Sequence, residues 1–235
     1  MKPVSPILAL ASDYDATLAF EGGISSQTAD ALARWKASGR KLLLVTGREL
    51  DDLLAIVANI ELFDCAVVEN GAVLYWPAMR RIESLAPSPS KQFLEALRRQ
   101  RVQPLSVGRS IVATTLQHST IVQNTITEMG LPLEITLNRD SAMVLPAGVN
   151  KATGLDRALS ELELPAEHVV GVGDAENDES FLKLCGLSVA VANAIPRIKE
   201  IADMVTEQRH GFGVVEVIEE IIAGYGTTCS SGQHG

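Results

Sequence analysis

The sequence predicts an α/β protein whose parallel sheet is interrupted by an α+β insert. Strand and helix patterns alternate over residues 7–75 and again over residues 151–222, which is typical of a parallel sheet covered by helices on both faces. Between these segments the order changes to helix, strand, strand, and that order occurs twice. Polar side chains also follow several of the apolar strands, at the end of a parallel sheet where ligands bind.

The first alternating segment contains three apolar runs that are too short for helices and are therefore predicted strands. They cover residues 7–11, 41–45 and 65–68. Ser25 and Ser26 predict the start of a helix over residues 27–38, which ends at Gly39, and a second helix follows Leu50. Asn70-Gly71 predicts a tight hairpin turn into a strand at residues 72–75.

The insert begins after Pro77, and Pro87 and Pro89 indicate a linker. Its predicted helices cover residues 90–100 and 120–129. Its predicted strands cover residues 102–105, 110–116, 133–138 and 142–145.

Alternation resumes after Gly148 with a helix over residues 151–162 and a strand over residues 168–173 that ends at Asp174. A short helix containing Phe181, a strand at 187–191, a helix that opens at Pro196, a strand at 204–205 and a helix at 214–222 follow. Residues 224–235 are rich in Gly, Ser and Thr, and we expect this tail to be disordered.

Composition excludes several classes of function. The 235 residues include 29 acidic and 20 basic side chains, a net charge of −9, and no basic stripe, so nucleic acid is a poor partner. No stretch approaches the ~20 apolar residues of a membrane span. Cys65, Cys185 and Cys229 have no paired or metal-ligand spacing, which favours a reducing compartment and a cytoplasmic protein.

The main chemical signal is Asp13-Tyr14-Asp15-Ala16-Thr17, directly after the first strand. Side chains alternate along an extended chain, so we expect Asp13 and Asp15 to point the same way. Two carboxylates held that close repel each other unless a cation or a shared proton lies between them. A polar exit from a strand is the ordinary alternative for this motif alone.

Further polar positions recur at strand ends and at one helix start: Thr46, Lys151, Asp174, Asn177 and Asp178. Each has an ordinary explanation as a helix cap, a loop carboxylate or a solvated lysine. All of them in this order favour a shared site.

In this order the residues resemble the haloacid dehalogenase (HAD) superfamily of phosphohydrolases. Asp13-Tyr14-Asp15-Ala16-Thr17 is similar to its first motif, D-x-D-x-T, and Gly173-Asp174-Ala175-Glu176-Asn177-Asp178 to its fourth, G-D-x-x-N-D. Thr46-Gly47-Arg48 and Asn150-Lys151 resemble the second and third motifs. Glu69-Asn70-Gly71-Ala72 and the αββαββ insert resemble the Cof-type branch with a type IIB cap. Ala16 departs from the usual glycine, which matters little unless φ is positive there.

This resemblance implies a Rossmann-like core over residues 1–79 and 149–235 and a cap over residues 80–148. It implies a phosphoric monoester hydrolase that uses Mg²⁺ to act on a small phosphorylated metabolite, such as a sugar phosphate or phosphoglycolate. Asp13 is the expected nucleophile and Asp15 the expected acid and base, with Thr46 and Lys151 also catalytic. The expected metal ligands are Asp13, the carbonyl of Asp15, Asp174 and Asp178, and the expected substrate-binding residues are Thr46, Gly47, Arg48, Lys151 and Asn177.

Two other functions share part of this chemistry. A receiver-type signalling module also accepts a phosphoryl group on Asp, but it is about half this length and has no inserted cap. A phosphomutase shares the aspartyl-phosphate step. The sequence leaves open the substrate, the oligomeric state and the cap residues that contact the substrate, for which Arg109, His118, Asn138 and Arg139 are candidates. We expect His210 to be a loop residue and Asn193 to be either a helix cap or part of the site.

Overall fold

The computed structural model describes residues 6–224, so Cys229 and the predicted disordered tail, apart from Gly224, lie outside the described residues. The strands are β1 (Ala9–Ser12), β2 (Lys41–Val45), β3 (Cys65–Val68), β4 (Val73–Trp76), β5 (Arg81–Ser84), β6 (Ser106–Val107), β7 (Val112–Thr115), β8 (Leu133–Asn138), β9 (Ser141–Pro146), β10 (Val169–Gly173), β11 (Leu187–Ala190) and β12 (Met204–Val205). The helices are α1 (Ser26–Ala37), α2 (Leu50–Ile56), α3 (Lys91–Arg99), α4 (Ser119–Glu128), α5 (Lys151–Glu161), α6 (Glu179–Leu184), α7 (Pro196–Ile201) and α8 (His210–Ile222).

In the described residues, the larger of two sheets has eight strands in the order β12-β11-β10-β1-β2-β3-β4-β5. The six strands from β12 to β3 are parallel, and β4 and β5 extend the sheet antiparallel. The chain first forms β2 to β5 on one side of β1 and later adds β10 to β12 on the other side. The carboxyl ends of β1 and β10 therefore flank the point where the strand order reverses, which is where open α/β sheets bind ligands.

The core of this sheet is buried because its central strands are apolar on both faces. Leu42, Leu43 and Leu44 of β2 are fully buried, and each contributes roughly 1.5–3 kcal/mol of hydrophobic stabilisation. Helices cover both faces, as the alternating pattern predicts.

Helix α5 is placed by a close approach of backbones. Asn150 caps it by accepting hydrogen bonds from the N–H groups of Ala152 and Thr153. A Cβ atom on Gly71, in the β3–β4 turn, would lie 2.0 Å from the Asn150 carbonyl oxygen, and Gly71 has φ +101. Only glycine fits there without a shift of the backbone, and the contact fixes the start of α5, where Lys151 lies.

The insert forms a separate antiparallel sheet in the order β6-β7-β9-β8. Helices α3 and α4 pack on it through a second hydrophobic cluster that includes Phe93, Leu97, Val122 and Val144. The observed order of helices and strands in the insert is αββαββ. The predicted α/β class with an α+β insert is confirmed.

Three elements differ from the prediction. The strand predicted at residues 102–105 is wrong: the strand is Ser106–Val107, because Pro104 has no N–H for a ladder. Strand β5 (Arg81–Ser84) was not predicted, and it pairs with β4 at the edge of the large sheet. Helix α8 begins at His210 rather than Val214, so the predicted loop position of His210 is also wrong.

Within residues 6–224, no helix combines the length and the apolar character needed to cross a membrane.

Candidate active site

Three neighbouring strands of the large sheet deliver the polar residues of the site. Asp13 follows β1, Thr46 follows β2 and Asp174 follows β10, and β1 lies between the other two strands. Lys151, the first residue of α5, joins them at the same edge. The structure thus brings together residues that are up to 161 positions apart in the chain, from Asp13 to Asp174.

Lys151 connects two buried carboxylates. Its Nζ atom donates to Oδ1 of Asp13 at 2.6 Å and to Oδ1 of Asp178 at 2.6 Å, and the lysine side chain is 1% exposed. Burial raises the pKa of Asp13 well above its ordinary range, Lys151 opposes that rise, and Asp178 and Asp174 add to it. Burial lowers the pKa of Lys151, but the two carboxylates outweigh that effect and raise it. Lys151 is therefore charged, and it is the main group that favours an ionised Asp13.

A third carboxylate completes an acidic cluster. Asp13, Asp174 and Asp178 are buried, and one oxygen from each lies within 4.8 Å of the others. Oδ1 of Asp174 accepts a hydrogen bond from the Thr17 hydroxyl at 2.8 Å, and Oδ2 accepts one from the guanidinium of Arg139 in the β8–β9 turn. Burial raises the pKa of Asp174, as does Asp178. Buried carboxylate oxygens at this spacing fit a hard divalent cation such as Mg²⁺.

Asp178 has little free bonding capacity. Its Oδ2 atom accepts hydrogen bonds from the N–H groups of Asp174 at 2.8 Å and Ala175 at 3.0 Å, while Oδ1 accepts from Lys151. Asp178 thus fixes the loop after β10 and positions Lys151.

Asp15 has an environment of its own. Strand β1 ends at Ser12, so strand alternation does not govern Asp13 and Asp15. Arg48 makes two hydrogen bonds of 2.7 Å to the Asp15 carboxylate, which is 45% exposed. The side chain of Asp15 is not part of the acidic cluster found among the described residues. Asp13 therefore pairs with Lys151 and Asp15 pairs with Arg48, so the two carboxylates do not share one cation.

The remaining predicted substrate-binding residues line the same edge. Thr46 is buried, and its hydroxyl oxygen accepts the N–H of Arg48 at 3.1 Å. A Cβ atom on Gly47 would lie 3.1 Å from Oδ1 of Asn70. Asn177 donates to that same Oδ1 at 2.9 Å, so Asn70, which the motif analysis did not assign to the site, links the second and fourth motifs.

The loop that carries Asp15 has a strained residue. Ala16 has φ 58, so the exception stated for a positive φ applies, and alanine is disfavoured here because left-handed backbone disfavours any residue with a Cβ atom. The Ala16 carbonyl accepts hydrogen bonds from Asn193 Nδ2 at 2.8 Å and from His210 Nδ1 at 2.9 Å. A carbonyl only accepts, so His210 carries its proton on Nδ1.

A cavity of ≈ 360 Å³ adjoins Lys151 and lies between the two sheets. Asn70, Asn177 and Ser180 line it from the large-sheet side, and Thr136 of β8 lines it from the insert. Its size and polar lining suit a small polar molecule.

Comparisons with known proteins find a matching family model and relatives of similar length. A family model described as haloacid dehalogenase-like hydrolase matches residues 10–129 and 111–218. Phosphoglycolate phosphatase 2 of Saccharolobus solfataricus is 34% identical over 222 residues, which cover 92% of each chain. A phosphoglycolate phosphatase of Methanothermobacter thermautotrophicus is 27% identical and covers 91% of this chain and 98% of its own.

Solved structures share the fold. A haloacid dehalogenase-like hydrolase from Bacteroides thetaiotaomicron superposes with a TM-score of 0.79 at 20% identity, covering 92% of this chain and 99% of its own. A sugar phosphatase of HAD subclass IIB superposes with a TM-score of 0.73 at 21% identity, covering 90% of this chain and 98% of its own.

Proposed function

Because the chain belongs to the haloacid dehalogenase-like hydrolase family, we propose that it is a Mg²⁺-dependent phosphatase that forms an aspartyl-phosphate on Asp13. The proposed substrate is a small phosphorylated metabolite, with phosphoglycolate as the first candidate because two full-length relatives carry that name. The observation that carries the proposal is the pairing of Asp13 with buried Lys151 beside Asp174 and Asp178.

Asp13 is the proposed nucleophile. Lys151 occupies its Oδ1 atom, so Oδ2 attacks phosphorus while the bond to the ester oxygen breaks. Lys151 also offsets the negative charge that a phosphate dianion brings towards a carboxylate. The hydroxyl of Thr46 and the N–H of Gly47 are proposed to donate to the phosphate oxygens, and Arg48 and Asn177 to border them.

Asp15 is the proposed acid and base. It gives a proton to the leaving oxygen in the first step, and in the second step it takes a proton from the water that attacks phosphorus. That attack breaks the bond to Oδ2, releases phosphate and restores the Asp13 carboxylate. The half-exposed position of Asp15 lets water reach it, and the two hydrogen bonds from Arg48 fix its orientation.

The acidic cluster is the proposed magnesium site. Asp13 and Asp174 would hold the ion directly with the backbone carbonyl of Asp15, and Asp178 and Asn177 would orient its water ligands. The bound ion would neutralise phosphate charge and align the phosphoryl group for in-line attack.

The insert is the proposed cap, and substrate selection is its proposed role. The sequence places it at residues 80–148, and since β5 (Arg81–Ser84) pairs with the large sheet, the proposed cap begins after Ser84. Closure over the strand ends would exclude water and limit the size of the leaving group.

The test is phosphate release from a panel of phosphorylated metabolites, with Mg²⁺, with excess chelator, and after Mg²⁺ is restored. We expect chelation to abolish release and Asp13→Asn to reduce it by at least about 1000-fold, or ~4 kcal/mol of barrier. Asp51→Asn is the matched control, because the Asp51 side chain is 88% exposed on α2. Turnover in excess chelator, or an active Asp13→Asn protein, refutes the mechanism, and an isomerised sugar phosphate or a stable phosphoprotein identifies a mutase or a receiver instead.

A further inference from the structure

The turn between β8 and β9 is attached to the loop that follows β10. Asn138 pairs with Ser141, so Arg139 and Asp140 form the turn. The Arg139 guanidinium donates to Oδ2 of Asp174, and its backbone N–H donates to Glu176 at 3.3 Å. A cationic side chain of the insert thus lies directly on the acidic cluster.

The other cations at this edge pair with carboxylates outside the insert. Lys151 is buried between Asp13 and Asp178. Arg48 is bound to Asp15 and Asp52. Lys183, which lines the adjoining cavity, pairs with Glu179.

Arg139 and Lys151 each pair with a proposed metal ligand, but Lys151 is buried and is also held by Asp178, whereas Arg139 is half-exposed. Its side chain is 47% exposed while that of Asp174 is 1% exposed. A carboxylate oxygen that binds a divalent cation cannot keep a guanidinium at the same position, since the two cations repel each other. In the metal-loaded protein the Arg139 guanidinium is therefore released from Oδ2 of Asp174 and can bind another anion.

We propose that Arg139 recognises a carboxylate on the substrate, exchanging Asp174 for it when the divalent cation binds. This inference rests on the proposed function and specifies its substrate class: a small phosphomonoester that carries a carboxylate near the ester oxygen. The planar guanidinium suits this role because it binds a carboxylate through two parallel hydrogen bonds. Its place on the insert lets the insert recognise the leaving group, while Asp13 belongs to the large-sheet side of the site.

The test compares kcat/KM for phosphoglycolate with that for ethyl phosphate, which lacks the carboxylate. Loss of a charged hydrogen-bonded pair reduces binding by about 10- to 100-fold, so Arg139→Gln is expected to reduce the preference for phosphoglycolate by that factor. Arg139→Lys keeps the positive charge but cannot form two parallel hydrogen bonds. Its preference for phosphoglycolate is expected to lie between those of wild type and Arg139→Gln. Arg99→Gln is the matched control: Arg99 is exposed on α3 of the insert, and its guanidinium donates to the Glu95 carbonyl rather than to the cluster.

A second measurement needs no turnover. Isothermal titration of Mg²⁺ into the substrate-free proteins is expected to give a lower Kd for Arg139→Gln than for wild type, because a competing cation has been removed. Equal or weaker Mg²⁺ binding overturns the exchange.

The outcomes separate this inference from the proposed function. Release of phosphate from ethyl phosphate without preference for phosphoglycolate in the wild type overturns the role of Arg139 and leaves a phosphatase. An unchanged preference in Arg139→Gln, or the same loss in Arg99→Gln, also overturns it. Release from other members of the metabolite panel but from neither of these esters overturns the role of Arg139 alone, and no release from any member of the panel overturns both proposals.

Discussion

Glu69 offers a direct test of how the insert is held on the large-sheet domain. Its carboxylate is 1% exposed and follows β3. It accepts three backbone hydrogen bonds from the insert: from Arg109 at 3.0 Å, from Ser110 at 2.7 Å and from Ile111 at 3.1 Å. A Cβ atom on Gly108 would lie 2.8 Å from this carboxylate, so the loop closes tightly around it.

Glu69→Gln keeps the shape but changes the hydrogen bonding. The amide has one acceptor oxygen, which can serve the Ser110 and Ile111 N–H groups, and its NH₂ group then faces the N–H of Arg109. Two hydrogen bonds lose their charge at about 1 kcal/mol each, and a third, charged hydrogen bond is lost entirely at about 2 kcal/mol. Burying a neutral group instead of an anion offsets part of this, so we expect the loop to lose about 2 to 3 kcal/mol.

Amide hydrogen exchange measures this loss at the three donors themselves. A loss of 2 to 3 kcal/mol corresponds to exchange that is roughly 30- to 150-fold faster. Glu134→Gln is the control, because Glu134 is an exposed insert residue whose carboxylate accepts one long hydrogen bond from Gly148 at 3.5 Å. Unchanged exchange at Arg109, Ser110 and Ile111 in Glu69→Gln would refute the reasoning.

Two further changes test the electrostatics. Lys151→Met leaves the buried Asp13 and Asp178 without their shared cation. We therefore expect phosphate release to fall by at least about 1000-fold, and urea denaturation to show a free energy of unfolding that is lower by about 3–5 kcal/mol. A variant as stable as wild type contradicts this. Burial raises the pKa of Asp64, but hydrogen bonds from Lys36, the Leu42 N–H and Lys41 outweigh it and leave the pKa below its ordinary value. Its contribution to stability is therefore present above the unfolded-state pKa of about 3.9 and is lost as the pH falls through the lower folded-state value. Urea denaturation should show Asp64→Asn less stable than wild type by about 1–2 kcal/mol at pH 7, and a gap that does not shrink on acidification rules this out.

The parallel strands could be predicted from the sequence because burial on both faces gives continuous apolar runs. The edge strand β5 gives no such signal. In β5, charged Arg81 and Glu83 alternate with Ile82 and Ser84, and Ile82 is 41% exposed. β5 joins the sheet by pairing with β4 along one side. This pairing does not require an apolar pattern in the residues of β5. A charged edge strand also discourages pairing with a second sheet.

The candidate site also contains residues that the sequence predicts and a residue that it does not single out. Asp13, Thr46 and Asp174 are predictable because parallel strands bring their carboxyl ends to one edge of a sheet. Arg139 was among four candidate contacts from the insert, and nothing in its local sequence singles it out. Its contact with Asp174 depends on how the β8–β9 turn meets the loop after β10, which is a property of the packed insert.

The different roles proposed for Asp13 and Asp15 depend on the turn at Ala16. The left-handed backbone of Ala16 costs roughly 1–2 kcal/mol. The hydrogen bonds that its carbonyl accepts from Asn193 and His210 contribute about 1 kcal/mol each, which is enough to offset that cost. The turn leaves Asp13 buried on Lys151 while Asp15 meets Arg48 and solvent. One carboxylate is thus prepared to bond phosphorus and the other to exchange protons with water, and residues about 180 positions further along the chain hold the turn that separates them.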